Sequence, residues 1–355
     1  MGRPFRAVLL NDVLLDAIVS YQDGYFGDLR PRVLQWKSMK RDHGDYLLPS
    51  GDRVSGGLDL MLNWLGADKR FLLHIAIYED NLDLIQRWLA CCGRSYVSAQ
   101  TLDCAARFGR HRLVRFVHEL GYPATVQAMN SAACYGHLDV LRFLHEHRDE
   151  GCTSKGKDYA AENGHLDVVR FLHSHRSEGC SMAALNFAAR NGHLDVVRFS
   201  NTQRDDGATV DAMDFAACNG HLDVVLYLHA QRTEGCTRFA MDYAAIGGHL
   251  RVVTFLHESR SEGCTTLAMD GAAEGGHLDV VAYLHRHRHE GCTDKALEGA
   301  TYRGREDVVR FLLAHRNEGD LERCIDVAEK RYYMRIRDLL WNEHAKRMPA
   351  SLPAQ

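Results

Sequence analysis

Apolar and polar positions along this chain change period at fixed places. Stretches with two adjacent small residues, such as Ala132-Ala133, Ala216-Ala217 and Ala272-Ala273, alternate with stretches whose apolar residues stand three and four apart, such as Leu166, Val169 and Leu172 with Val168 alongside. The three-and-four spacing marks the buried face of a helix. Each stretch of the first kind opens with a hydroxyl residue: Ser98, Thr125, Thr153, Ser181, Thr209, Thr237, Thr265 or Thr293. Such a residue accepts a hydrogen bond from a backbone N–H that the first helical turn leaves unpaired. Between the two kinds stands a glycine, which adopts left-handed backbone cheaply and so ends a helix. The pattern predicts eight units of two antiparallel helices.

The units are near copies of one another. Gly-His-Leu-Asp-Val-Val-Arg-Phe-Leu-His recurs with its leading glycine at Gly109, Gly136, Gly164, Gly192, Gly220, Gly248, Gly276 and Gly304, spaced by 27 once and then by 28 six times. One helix pair cannot bury its apolar face alone, so the copies are expected to stack into an all-α solenoid with almost no sheet. Two degenerate copies flank them. His74 to Leu89 has Asp80-Asn81 in place of Gly-His, and Leu321 to His344 keeps Ala328, Ile336 and Leu340 but adds Lys330, Arg331, Arg335 and Arg337. Charged outer faces suit the ends of a stack. About ten units at roughly 10 Å each give a rod on the order of 90 to 100 Å long. One unit breaks the pattern: Ser200 and Asn201 replace the usual Leu and His, which predicts a soft point over residues 198–209.

The string Ala-Ala-x-x-Gly-His-Leu-Asp-Val-Val-x-x-Leu, repeated over about residues 70–344, closely resembles the ankyrin repeat. These units have 28 residues, where an ankyrin unit typically has about 33. They read Ala240-Met241-Asp242 where ankyrin units read Thr-Pro-Leu-His. The missing residues fall where ankyrin repeats build a β-hairpin finger, so short inter-repeat loops are expected. The resemblance implies an ankyrin-like helix-turn-helix solenoid and a non-enzymatic scaffold that binds a partner protein on its concave face. The two residues before each shared glycine vary most among the units, and by resemblance they face that groove. Arg107, Tyr135, Asn163, Arg190, Asn191, Asn219, Tyr302 and Arg303 are therefore the candidate partner-binding residues. Tyr135, Arg190 and Tyr302 are the expected anchors, because Tyr and Arg dominate interface energetics.

Composition narrows this reading. In a chain of 355 residues, 43 Lys+Arg against 47 Asp+Glu leave a net charge of -4. No overall basic field exists to hold a phosphate backbone, so nucleic acid is not an expected partner. The apolar run from Ala7 to Val19 is interrupted by Asn11, Asp12 and Asp16, and no 18-residue apolar span occurs. With 11 cysteines, an odd number, reduced thiols are expected rather than a disulfide framework. We therefore expect a soluble, monomeric protein without cofactors, of the cytoplasm or the nucleus.

Of the 21 histidines, 12 come from two repeat positions: His137, His165, His193, His221, His249 and His277 after the glycine, and His118, His145, His173, His229, His257 and His285 late in the second helix. Stacked imidazoles could sense pH near 6. Their regular spacing instead favours a structural role, each bonding a neighbouring backbone carbonyl. Cys134-x-x-His137 and Cys218-x-x-His221 raise an alternative, a Cys/His metal site or nucleophile pair, but they lie three units apart and four converging ligands are needed for zinc. The Gly-Cys series (Cys152, Cys180, Cys236, Cys264, Cys292) is expected to be packing between units, too far apart for disulfides.

Residues 1–69 carry no repeat. Val13, Leu14, Ala17, Ile18 and Tyr21 predict an amphipathic helix, followed by a Gly-containing turn and Trp36. The segment is expected to be a helical cap on the first repeat. It also weakly resembles an F-box, which implies a substrate receptor docked to a ubiquitin-ligase adaptor, although the F-box proline is absent. Ser55 to Leu60 echoes the repeat and suggests a decayed copy over 50–66, and residues 345–355 are expected to be a disordered tail.

Overall fold

The computed structural model describes residues 21–22, 25–26, 29, 31, 41–42, 45–47, 53–54, 70–92, 97–179, 181–203 and 209–347. It has two compact units: residues 1–160 with 167–178, and residues 161–166 with 179–355. In the first, short antiparallel strands pair Tyr21–Gln22 with Tyr25–Phe26, and Arg41–Asp42 with Asp45–Leu47 and Arg53–Val54. Tyr21 is thus in a strand; Val13, Leu14, Ala17, Ile18, Trp36 and the Ser55–Leu60 echo lie outside the described residues.

Every described segment from residue 70 onward that has regular structure is helical. Helix pairs run Arg70–Tyr78 with Leu82–Cys92, Ala99–Arg107 with His111–Glu119, Val126–Cys134 with Leu138–His147, and Ser154–Glu162 with Leu166–His175. In the second unit the pairs are Met182–Arg190 with Leu194–Gln203, Val210–Cys218 with Leu222–Gln231, Arg238–Ile246 with Leu250–Ser259, Thr266–Gly275 with Leu278–His287, Asp294–Tyr302 with Glu306–His315, and Leu321–Lys330 with Met334–Arg347. The last helix therefore continues three residues into the expected tail. Links such as 232–237 are short and contain no strand, so the loops are short as expected.

The small residues account for the stacking. Ala216-Ala217, Ala244-Ala245 and Ala272-Ala273 are fully buried, which lets successive first helices approach closely. Second helices contribute Val224, Val225 and Leu228 and their equivalents to the core. Each buried Val or Leu is worth roughly 1.5–3 kcal/mol.

Three recurring sets of polar bonds join successive helix pairs. First, the hydroxyl cap works in two directions. Thr265 Oγ1 accepts from Leu267 N at 3.1 Å and donates to Asp242 of the preceding unit at 2.8 Å, while Thr265 N donates to the same carboxylate at 2.7 Å. Thr125 with Asp103, Thr237 with Asp214 and Thr293 with Asp270 repeat this arrangement. Asn130 with Thr153 and Asn186 with Thr209 are its neutral versions.

Second, His137, His193, His221, His249 and His277 pack on the glycine of the preceding helix pair, Gly109, Gly164, Gly192, Gly220 and Gly248 in turn. His137 Nε2 lies 3.0 Å from Arg107 O. His193 and His249 likewise bond the carbonyls of Glu162 and Cys218. Third, an Arg-x-Glu pair recurs in the links, as in Arg232 and Glu234 at 2.7 Å and Arg316 and Glu318 at 2.6 Å. The arginine lies over the Gly-Cys of the preceding link, Arg176 on Gly151 and Cys152, and Arg288 on Gly263 and Cys264.

The irregular unit has a specific arrangement. Asn201 is engaged: its Nδ2 donates to Tyr227 Oη at 3.1 Å and its Oδ1 accepts from Arg232 Nη1 at 2.9 Å. Ser200 is half-buried where Leu228, Leu256, Leu284 and Leu312 are fully buried. Ser200→Leu is therefore expected to stabilise the protein by about 1–2 kcal/mol through added apolar burial. Chemical denaturation checks this, and an unchanged midpoint would show that the site has no room.

Candidate functional site

The residues that the interlocking does not consume lie on the outward faces of the first helices and the turns that follow. Among the sequence candidates, Tyr135, Asn163, Arg190, Asn191, Asn219, Tyr302 and Arg303 are exposed, and Arg107 is half-buried. Several already have partners within the chain. Arg107 donates to Tyr135 Oη and its guanidinium lies 4.7 Å from that ring centroid. Asn191 Nδ2 donates to Glu162 O at 2.7 Å, and Asn219 Nδ2 to Phe215 O at 3.0 Å. Arg303 pairs with Glu274 at 3.1 Å. These contacts fix the side chains in place, which lowers the entropy lost when a partner docks.

Sequence reasoning missed a row of apolar side chains on the same helices of the second unit. Phe215, Tyr243, Phe239 and Leu267 are all exposed, Phe239 to 56%. Phe239 and Tyr243 stand one helical turn apart with ring centroids 5.9 Å apart. Phe215 and Tyr243 occupy the variable place between the Asp and the Ala-Ala pair. At that place the next units have Gly271 and Gly299, and Ile246 folds over Gly271. The face is therefore aromatic along 210–246 and flatter along 266–299. The signal was present in the sequence, because this place holds Tyr159, Phe187, Phe215 and Tyr243 in four successive units and Gly271 and Gly299 in the next two, while the Ala after it is constant.

Residues 158–199 match the family model described as ankyrin repeats (many copies). This match and the many short helix pairs fit a divergent ankyrin-repeat protein. The matched stretch covers parts of two helix pairs, and the same bonds between units recur in the other pairs described above. No curated protein matches the chain.

The ankyrin-type units hold their titratable groups in a structural state. Burial lowers the pKa of His118, His193, His249 and His285 below the ordinary 6.5, and Arg148 and Arg316 add to the effect at His118 and His285 respectively. His145, His229 and His285 stand edge-on to Phe171, Phe255 and Phe311, with Nδ1 buried and without a hydrogen bond. The carbonyl bond expected of every histidine is thus made by turn histidines, while the helix-end set packs against rings.

A histidine whose folded pKa is depressed binds more protons when unfolded. Its stabilising contribution is full above 6.5 and is lost as pH falls from 6.5 toward the folded value. The array is expected to lose thermal stability between pH 7 and 5, and a melting temperature flat over that range would contradict it. Glutamates add a second loss below about 4.5. Burial opposes the effect at Glu290, yet Arg288 and backbone amides bring it down to about 2.

Burial pushes the thiol of Cys236 up to about 12 and that of Cys264 to about 11, and it raises Cys218 as well. Thiols raised this way are poor nucleophiles at neutral pH. Cys104, Cys152, Cys218, Cys236, Cys264, Cys292 and Cys324 are free thiols, and no group of three or more metal-ligating side chains occurs among the described residues. No helix among them is long and apolar enough to cross a membrane.

Proposed function

We propose that this protein is a non-enzymatic scaffold that binds a partner protein on the first-helix face, the face that is concave in ankyrin arrays. The observation that carries this reading is the exposed row of Phe215, Phe239, Tyr243 and Leu267 on helices whose Ala-Met-Asp and Ala-Ala residues are buried in the stack. Contiguous exposed aromatic residues on a soluble domain mark interaction surfaces. Within the second unit, Arg190, Asn191, Asn219 and the turn at Tyr302 extend the same face as its polar rim.

The test is a proximity-labelling comparison of the native chain with Phe239→Ser/Tyr243→Ser. Both residues are solvent-facing, so melting temperature is expected to change little. Recovery of the specific partners should fall at least tenfold, as it does when interface anchors are truncated. Recovery of the same partners at the same level would reject this face.

A further inference from the structure

The last two turns of the second unit differ from those before them in charge, exposure and backbone. The turn at 246–249 reads Ile-Gly-Gly-His and that at 274–277 reads Glu-Gly-Gly-His. The turn at 302–305 reads Tyr-Arg-Gly-Arg, and 330–335 reads Lys-Arg-Tyr-Tyr-Met-Arg. The two basic turns are stacked. The Arg331 guanidinium lies 3.5 Å from the Tyr302 ring centroid, and a Cβ on Gly304 would meet the Tyr333 ring at 3.0 Å. Arg303 and Lys330 have carboxylate partners in Glu274 and Asp326. Among the described residues, Arg305, Arg331 and Arg335 have none.

Tyr332 sharpens the picture. It occupies the place held in the repeated units by the shared glycine, and it keeps the same left-handed backbone, with φ of 61°. Glycine would adopt that conformation without strain, whereas a bulky side chain there is a genuine outlier. The ring gains nothing from packing in return, because it is 81% exposed. Beside it Met334 is also exposed. Backbone strain that local packing does not compensate is characteristic of positions where the side chain serves recognition.

We propose that the stacked turns at 302–305 and 330–335 bind a short acidic segment of a partner protein. Arg305, Arg331 and Arg335 pair its carboxylates, and an apolar side chain of the segment lies against Tyr332 and Met334. Charge complementarity sets the occupant: two stacked turns carry Arg305, Arg331 and Arg335, none of them paired with a carboxylate, on a chain whose net charge is -4. A nucleic-acid backbone fits less well, since Asp326, Glu329 and Asp338 lie close to the turn on the last two helices and would repel an extended polyanion. This inference rests on the scaffold reading and gives it a partner chemistry.

The experiment selects a phage-displayed random 12-residue peptide library against the full chain. Enriched peptides are expected to carry at least two Asp or Glu beside an apolar residue. A fluorescein-labelled consensus peptide should lose affinity at least tenfold with Arg335→Glu or Arg331→Glu, and several-fold when salt rises from about 50 to 300 mM. Tyr332→Gly should weaken binding at least fivefold while raising the melting temperature, a combination that a structural tyrosine would not give.

Enrichment without acidic residues overturns the proposal, as does a Tyr332→Gly variant that melts lower. Acidic peptides that lose binding with Phe239→Ser but not with Arg335→Glu overturn it while leaving the scaffold reading intact; insensitivity to both sets of variants rejects both. Tighter binding of labelled 12-residue oligothymidine than of the consensus peptide overturns the partner class.

Discussion

Gly220→Ala is expected to destabilise the array by about 2–3 kcal/mol, although it adds only one methyl group. Gly220 sits at φ +77°, where any Cβ costs roughly 1–2 kcal/mol. That Cβ would also stand 2.5 Å from His249 Nδ1 of the next unit. The imidazole would have to move, losing its bond to the Cys218 carbonyl, worth about 1 kcal/mol. The two effects share a partner, so they should not add: Gly220→Ala/His249→Ala is expected to cost about 1 kcal/mol less than the sum of its single changes. Hydrogen exchange at the amides of 210–231 and 238–259 is the appropriate readout, because repeat arrays depart from two-state unfolding. Strict additivity would show that the ring does not depend on the missing side chain.

Asp242→Ala is expected to cost about 3 kcal/mol. Asp242 is 1% exposed and accepts from both the backbone N–H and the hydroxyl of Thr265. Truncation would leave those donors facing a cavity, at about 1–3 kcal/mol for each unsatisfied group. Asp242→Asn should be far milder, about 1 kcal/mol or less. The chain itself supplies the precedent: Thr153 N donates to Asn130 Oδ1 at 3.0 Å and Asn130 Nδ2 donates to Thr153 Oγ1 at 3.0 Å. Equal losses for the alanine and asparagine variants, measured by thermal and chemical unfolding, would mean that the carboxylate's charge rather than its bonding geometry stabilises the junction.

The parts of this fold that were legible in the sequence are local. Thr237 or Thr265 before a helix, Gly220 after one, and the Ala216-Ala217 pair each announce themselves, because capping, left-handed backbone and close helix approach restrict residue type within a few positions. The bonds between units were not legible. Asp242 and Thr265 lie 23 residues apart, and nothing in either residue's neighbours indicates that one holds the other. The constant Asp of Ala-Met-Asp could equally have been a solvated charge. The candidate face was partly legible: Tyr302 and Arg303 stand out by variation, whereas an aromatic residue beside Ala-Ala, such as Phe215 or Tyr243, reads as core. Tyr332 falls at the glycine place by the 28-residue spacing, but that it keeps the left-handed backbone there is visible only in its φ.

The pairing of each histidine with the glycine of the unit before it has a consequence for how such a gene can change length. Gly220 meets His249 just as Gly192 meets His221 and Gly248 meets His277. Loss or duplication of one whole 28-residue copy would therefore rejoin halves that already fit, wherever within the copy the break fell. The final junctions do not share this freedom, since Gly276 is covered by Arg305 and Gly304 by Tyr333. Recombination can lengthen or shorten the middle while the closing units are inherited as a set, so relatives of this chain should differ by whole copies and keep the same last two turns.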